Sequence, residues 1–207
     1  EKINAAENIL IYIFREYSVP YIFDLIIFLI GLVLFINFKK KYNFKLNLTY
    51  MFMMLIEGML FGILLFYLIV ADLTPSLDSI YALEKFYLAI GAGIWEELLF
   101  RVFLLNVVIF LAEKILDKAF KVDYKRYLFF FVFIAISFVA ILFSLIHYSL
   151  DQVNDLSNLI LQRSFQLKVI GGIFLGYLYY YRGFGITCLS HIIYNFIIYI
   201  TAIGWFS

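Results

Sequence analysis

The chain has 207 residues, of which 65% are hydrophobic, 21% aromatic and 15% charged, with a formal net charge of +1 and a mean hydropathy of +0.98. Soluble domains are about 45–50% apolar, so these values exclude an ordinary water-soluble globule and point to an all-α, polytopic integral membrane helix bundle. Lys and Arg fall in short clusters between apolar runs, which gives no basic face for nucleic acid.

A span needs ~20 mostly apolar residues, so the chain has room for about six to seven membrane helices packed as one domain, residues 1–207. Residues 1–79 read as N-terminal helices and 80–207 as the core that carries the motifs. Ala5 to Tyr17 place Ile9, Leu10, Ile13 and Tyr17 on one face, predicting a short interfacial helix before Pro20. A first span follows from Tyr21 to Phe38 and a second from Thr49 to Ala71, closed by the turn-rich "DLTPSLD". Ile80 to Leu111 is too long for a simple span and contains "GAG", which predicts a kink or helix restart near Gly91 to Gly93. After a basic segment, Glu113 to Arg126, come a span at Tyr127 to Tyr148 and an amphipathic connection at Ser149 to Arg163. Two final spans, Phe165 to Tyr181 and Ile186 to Phe206, are joined by "RGFG", whose glycines suit a tight turn.

The positive-inside rule puts Lys39, Lys40, Lys41, Lys45, the 114–126 cluster and Arg182 on the cytoplasmic side of a multi-pass protein, in the cytoplasmic membrane if prokaryotic. No charged n-region followed by a small-residue cleavage site is visible, so no signal peptide is expected. The single Cys188 excludes an intramolecular disulfide and reads as a small hydrophobe.

Against this apolar background, "GIWEELLFR" stands out. An ionisable side chain at mid-helix costs about 2.5–3.5 kcal/mol even on lenient insertion scales, so each needs a partner or a purpose. Glu97 and Arg101 are four apart with the acid first, the favourable order for a helical ion pair. Glu96 points about 100° away and has no local counter-ion. The chain's two histidines also lie in apolar helices, His147 in "FSLIHY" and His191 in "HIIYN", with Asn195 on the face of His191.

Each histidine alone is more often a hydrogen-bonded packing residue than a catalyst, and a structural polar cluster that orders the bundle is the plain alternative. Together, however, a carboxylate, two imidazoles and an amide are the parts for activating water and holding an oxyanion during amide hydrolysis. One crossing per apolar run leaves His147 and His191 near opposite ends of their spans, whereas this chemistry needs them close. Convergence of Glu96, His147, His191 and Asn195 on one polar site is therefore expected. Other hydrolase patterns are missing: there is no "HExxH", and neither Ser144 nor Ser190 lies in a glycine-flanked elbow. Glu57, the other mid-span acid, reads as a structural partner for Lys168, Arg101 or a tyrosine hydroxyl.

In order along the chain, "EELLFR" (Glu96 to Arg101), "FSLIH" (Phe143 to His147) and "HIIYN" (His191 to Asn195) resemble the EExxxR, FxxxH and HxxxN motifs of the CPBP family. That family comprises the CAAX prenyl endopeptidases and the bacteriocin-processing, or Abi, proteins. The resemblance covers roughly Ile80 to Thr201. It implies an intramembrane endopeptidase in which Glu96 and His147 activate water, His191 and Asn195 stabilise the oxyanion, and Glu97 and Arg101 support them. The separation of Glu96 and His147 exceeds the family's usual spacing, with the excess falling in the basic segment.

The resemblance implies a membrane-associated peptide or protein substrate in a lipid bilayer: CAAX-type prenylated proteins or small exported or signalling peptides. Family members are often labelled metal-dependent, and Glu96, His147 and His191 offer a three-ligand zinc site. Glutamate-driven water attack needs no cofactor and is the preferred expectation. Two other readings stay open: a catalytically silent immunity or scaffold protein, and a proton-coupled transporter that uses the buried acids as a relay.

Overall fold

The structure, a computed structural model, describes residues 47–69, 82–116, 127–148, 152–153 and 155–202. The expected interfacial helix at 5–17 and the first span at 21–38 lie outside the described residues. Every regular element among the described residues is helical: α1 (Leu48–Ile69), α2 (Ala82–Glu97), a π-helical segment (Leu98–Leu105), α3 (Asn106–Ile115), α4 (Leu128–Leu145), α5 (Leu156–Leu161), α6 (Arg163–Arg182) and α7 (Phe184–Ala202).

Among the described residues two helices, Leu48–Ile69 and Leu128–Leu145, are long and apolar enough to cross a membrane, with mean hydropathies of 2.3 and 2.9. Their outward faces support this use. In α4, Val132, Ala135, Ile136, Val139, Ala140 and Phe143 are buried at helical spacing, while Phe129, Phe130, Phe133, Ile134, Phe138 and Ile141 are exposed. A helix on a water-soluble protein would place polar residues on that second face. Large exposed side chains line α1 in the same way, from Met51 and Phe52 to Leu64 and Leu68.

α7 is the centre of the bundle, packed on α1, α2 and α6, while α6 also packs along α4. Glycines set these close approaches. Gly58 and Gly62 of α1, spaced as a GxxxG pair, face α7: added Cβ atoms would lie 2.6 Å from Leu189 Cδ2 and 2.7 Å from Ile193 Cβ. Gly172 and Gly176 of α6 form a second such pair, facing Ala140 and Ile136 of α4 at 2.9 and 2.7 Å. Pairing of 172 with 140 and 176 with 136 makes α4 and α6 antiparallel. Between the pairs, Leu65 and Ile69 of α1 pack on Leu175 of α6, joined by Tyr194 of α7.

The expected break at Gly91 to Gly93 is absent, because α2 passes through those residues as regular helix. Gly93 serves packing instead. A Cβ there would lie 2.3 Å from Ile192 Cγ1 and 3.2 Å from the Cys188 carbonyl oxygen, so only glycine lets α2 approach α7 this closely. The irregularity comes later, where the helix widens into the π-helical segment at Leu98. The glutamates thus close α2 rather than open a new helix. The side-chain amide of Asn106 donates to the carbonyls of Arg101 and Val102 at 3.2 and 2.7 Å, meeting backbone acceptors where the wide turns end.

The "RGFG" turn is as tight as its sequence suggests. α6 ends at Arg182, α7 begins at Phe184, and Gly183 alone links them with φ of 81°, a left-handed conformation suited to glycine. Glu57 pairs with Arg182 next to this turn, through two contacts to its guanidinium. Its partner is therefore none of those expected from sequence, since no spacing rule links residues 125 apart. In the connection before α6, Asp155 caps α5 by accepting from the Asn158 N–H at 3.4 Å, and the Asn158 side chain holds its carboxyl below the ordinary range.

Candidate active site

The two glutamates, the arginine and the α7 histidine form one buried polar cluster. Glu96 is 3% exposed, Glu97 0%, Arg101 1% and His191 5%, so each must find its partner inside the protein. Glu97 sits between two of them. Its Oε2 is 3.2 Å from Arg101 Nε, and its Oε1 accepts a hydrogen bond from His191 Nδ1 at 2.8 Å. The sequence spacing pairs Glu97 with Arg101. In the structure it also fixes the orientation of His191 by holding its Nδ1.

With Nδ1 committed to Glu97, the opposite nitrogen of His191 faces Glu96: Nε2 stands 3.9 Å from Glu96 Oε2. Glu96 and Glu97 therefore face opposite nitrogens of the same imidazole. This division agrees with the angular separation expected of adjacent helical residues.

Arg101 is held by more than its ion pair. Its Nη2 donates to the Gly172 carbonyl of α6 at 3.4 Å, and its Cζ lies 4.6 Å from the centroid of the Phe143 ring. Nη1 and Glu97 Oε2 have no hydrogen-bond partner among the described residues. The contact of Glu97 Oε2 with Arg101 Nε is an ion pair without hydrogen-bond alignment, so the attraction there is mainly Coulombic. Neither Gly172 nor Asn106 was singled out from sequence. The first acts through a backbone carbonyl, which has no sequence signature. The second was signalled only by being a lone amide in an apolar run.

Phe143 is the hub that brings in the second motif. Its ring packs edge-on to His147 at 4.9 Å and to His191 at 6.3 Å between centroids. The separation of the imidazole centroids cannot exceed the sum of those distances, which falls inside the ~12 Å needed to share one substrate carbonyl and its water. His147 lies just past the end of α4, and its Nδ1 donates to the Phe143 carbonyl at 2.8 Å. That bond folds the ring back toward the bundle. His191 lies about 10 Å inside the start of α7 rather than at its end. These two placements replace the opposite-end arrangement of the simple topology.

In contrast to His191, His147 is exposed. A carbonyl only accepts, so His147 Nδ1 carries a proton, and in the neutral ring Nε2 is the acceptor. Asn195 stands one turn beyond His191 on the same face of α7, half-buried.

Among the described residues no three His, Cys, Asp or Glu side chains are grouped to hold a metal ion. Glu96 and His191 are close, and His147 stands apart across Phe143. The serines near the histidines are committed elsewhere. Ser144 donates to the Ala140 carbonyl at 2.9 Å and Ser190 to the Ile186 carbonyl at 2.7 Å, and both are 0% exposed. Cys188 is buried and unpaired by disulfide.

The family described as "Type II CAAX prenyl endopeptidase Rce1-like" matches residues 78–197, more than half of the chain and all three motif segments. No curated protein and no solved structure matches the chain.

Proposed function

Because the chain belongs to the Rce1-like family of type II CAAX prenyl endopeptidases, we propose that it is a membrane-embedded endopeptidase that hydrolyses a peptide bond by glutamate-activated water attack. The substrate is a membrane-associated peptide or protein cut near its terminus. The reading extends to six or seven membrane crossings in one domain, with residues 80–207 as the catalytic core.

Glu96 and His147 act on the water. His147 Nε2 accepts a hydrogen bond from it, and Glu96 takes one proton as the oxygen attacks the scissile carbonyl carbon. Negative charge then develops on the carbonyl oxygen. His191, donating to Glu97 from Nδ1 and protonated also on Nε2, gives its second N–H to that oxyanion; the Asn195 amide gives another. When the C–N bond breaks, the proton held by Glu96 passes to the leaving amine and the carboxyl product separates. Glu97 and Arg101 keep His191 in place, and burial strengthens each of these interactions.

The observation that carries this reading is the two-sided contact of His191, with Glu97 on Nδ1 at 2.8 Å and Glu96 facing Nε2 at 3.9 Å. A purely structural cluster would satisfy the imidazole without leaving an acid on its second nitrogen.

The test compares the peptides and membrane-protein termini of cells carrying the wild-type chain with those carrying Glu96→Gln, together with cleavage of prenylated CAAX peptides by the purified proteins. Products present only with the wild type are expected. Identical profiles, with no cleavage of the peptide panel, would overturn the reading in favour of a silent binder or a proton relay.

A further inference from the structure

Near the site lies a cation that the chemistry above does not use. Lys168, half-buried on α6, is one turn before Gly172, whose carbonyl holds Arg101. Its ammonium donates to the Tyr148 hydroxyl at 3.4 Å and lies 5.0 Å from the centroid of that ring. The same hydroxyl is 3.0 Å from Ser164 Oγ, and Phe165 backs the Tyr148 ring at 5.8 Å between centroids. No carboxylate of the described residues pairs with Lys168. A half-buried ammonium whose company is one hydroxyl and one aromatic face retains most of its unmet charge.

Its position gives that charge a use. Glu96, Glu97, Arg101 and His191 are sealed within the bundle, while His147 is exposed. Tyr148 is the chain neighbour of His147, about 3.8 Å away at Cα. Through the Tyr148 hydroxyl, the Lys168 ammonium and Ser164 Oγ are thus gathered next to the exposed His147. One cation and two hydroxyls can together donate three hydrogen bonds to a planar anion. Two or three residues of extended chain span about 7–10 Å, so a peptide with its scissile carbonyl between the imidazoles brings a nearby carboxyl terminus to this rim.

We propose that Lys168, Tyr148 and Ser164 form a subsite for the substrate's C-terminal α-carboxylate, which fixes cleavage a few residues from a free carboxyl end. The proposal rests on the endopeptidase reading and adds to it the group that measures distance from the terminus. Lys168 is a binding residue here, not a participant in bond breaking. A lipid phosphate is the rival occupant. It is disfavoured because the ammonium is turned onto Tyr148, beside the His147 rim.

Two peptides identical except for a C-terminal carboxylate or carboxamide make the test. The full chain in neutral-lipid vesicles should cleave the acid with a kcat/KM about 10- to 100-fold above the amide, the range for one charge-assisted hydrogen bond. Lys168→Ala should collapse that ratio to about one, and Lys168→Arg should keep most of it. Binding of the same pair to the Glu96→Gln protein reads the subsite without cleavage. Preference for the acid that needs Lys168 supports the subsite even if the wild type cuts nothing, in which case only the endopeptidase reading falls. Equal handling of acid and amide by the wild type, in both cleavage and binding, would overturn the subsite. So would a Lys168→Ala loss that is the same for both peptides and follows anionic lipid content, since that assigns the ammonium to the bilayer.

Discussion

Two carboxylate–arginine pairs lie among the described residues, and they share almost nothing beyond composition. Glu97 and Arg101 are neighbours on one helix, 0% and 1% exposed, and are tied into His191, Gly172 and Phe143. Glu57 and Arg182 join α1 to the end of α6 across 125 residues, with side chains 25% and 51% exposed. The second pair satisfies itself: two donors meet two acceptors. The first leaves Arg101 Nη1 and Glu97 Oε2 without hydrogen bonds and spends the other carboxylate oxygen on an imidazole. A pair that is worse at neutralising itself is better placed to orient a third group.

That contrast can be broken by experiment, and the largest effect lies beside the buried pair. Glu96→Gln should lower kcat by about 10²- to 10⁴-fold, the range for losing acid–base catalysis, with folding retained. A melting curve checks the second half of that statement. Glu97→Gln should cost ~3–5 kcal/mol of stability by stranding the Arg101 charge, and should lower activity as His191 loses its anchor. Normal expression with an activity loss equal to that of Glu96→Gln would erase the distinction between working and supporting acid. Next comes Gly93→Ala, whose methyl would press on Ile192 Cγ1. Overpacking of this kind costs about 1–3 kcal/mol, and thermal unfolding of the purified protein measures it.

Smaller still is Glu57→Gln, which should leave cleavage intact and the melting temperature close to wild type, as exposed pairs contribute little. A loss as large as that from Glu97→Gln would place the Arg182 pair in lipid rather than at a wet helix end, and the contrast would fail. At the bottom of the scale, dialysis against a strong chelator should leave activity unchanged. Loss on chelation with recovery by one stoichiometric metal would instead give Glu96 and His191 a ligand role.

The site was more legible in the sequence than the helices that carry it. Charges and imidazoles in apolar helices are costly, so Glu96, Glu97, Arg101, His147 and His191 announce themselves by residue type alone. Their mutual contacts were harder to foresee. The bond from His191 to Glu97 depends on how close α2 and α7 come, which Gly93 sets without any polar signature. Glycines were read for their freedom to kink, and in α1, α2 and α6 they act through the side chain they lack. The π-helical segment escaped prediction because "LLFRVFLL" is as regular in composition as any α-helix. Asn106 and the Gly172 carbonyl, which support that segment and its arginine, become visible only with coordinates.

One residue separates α6 from α7, and this makes Gly183 a depth gauge for the imidazole that follows. His191 is eight positions later, so the turn fixes both how far the ring is sunk and which way it faces. Adding a single residue after Gly183 would slide His191 by about 1.5 Å and swing it by about 100°, off Glu97 and away from Glu96. Substitutions in the lipid-facing surface of α7 leave that calibration untouched. Changes of length in the turn do not, and so this one-residue connection is one whose length selection has little freedom to alter.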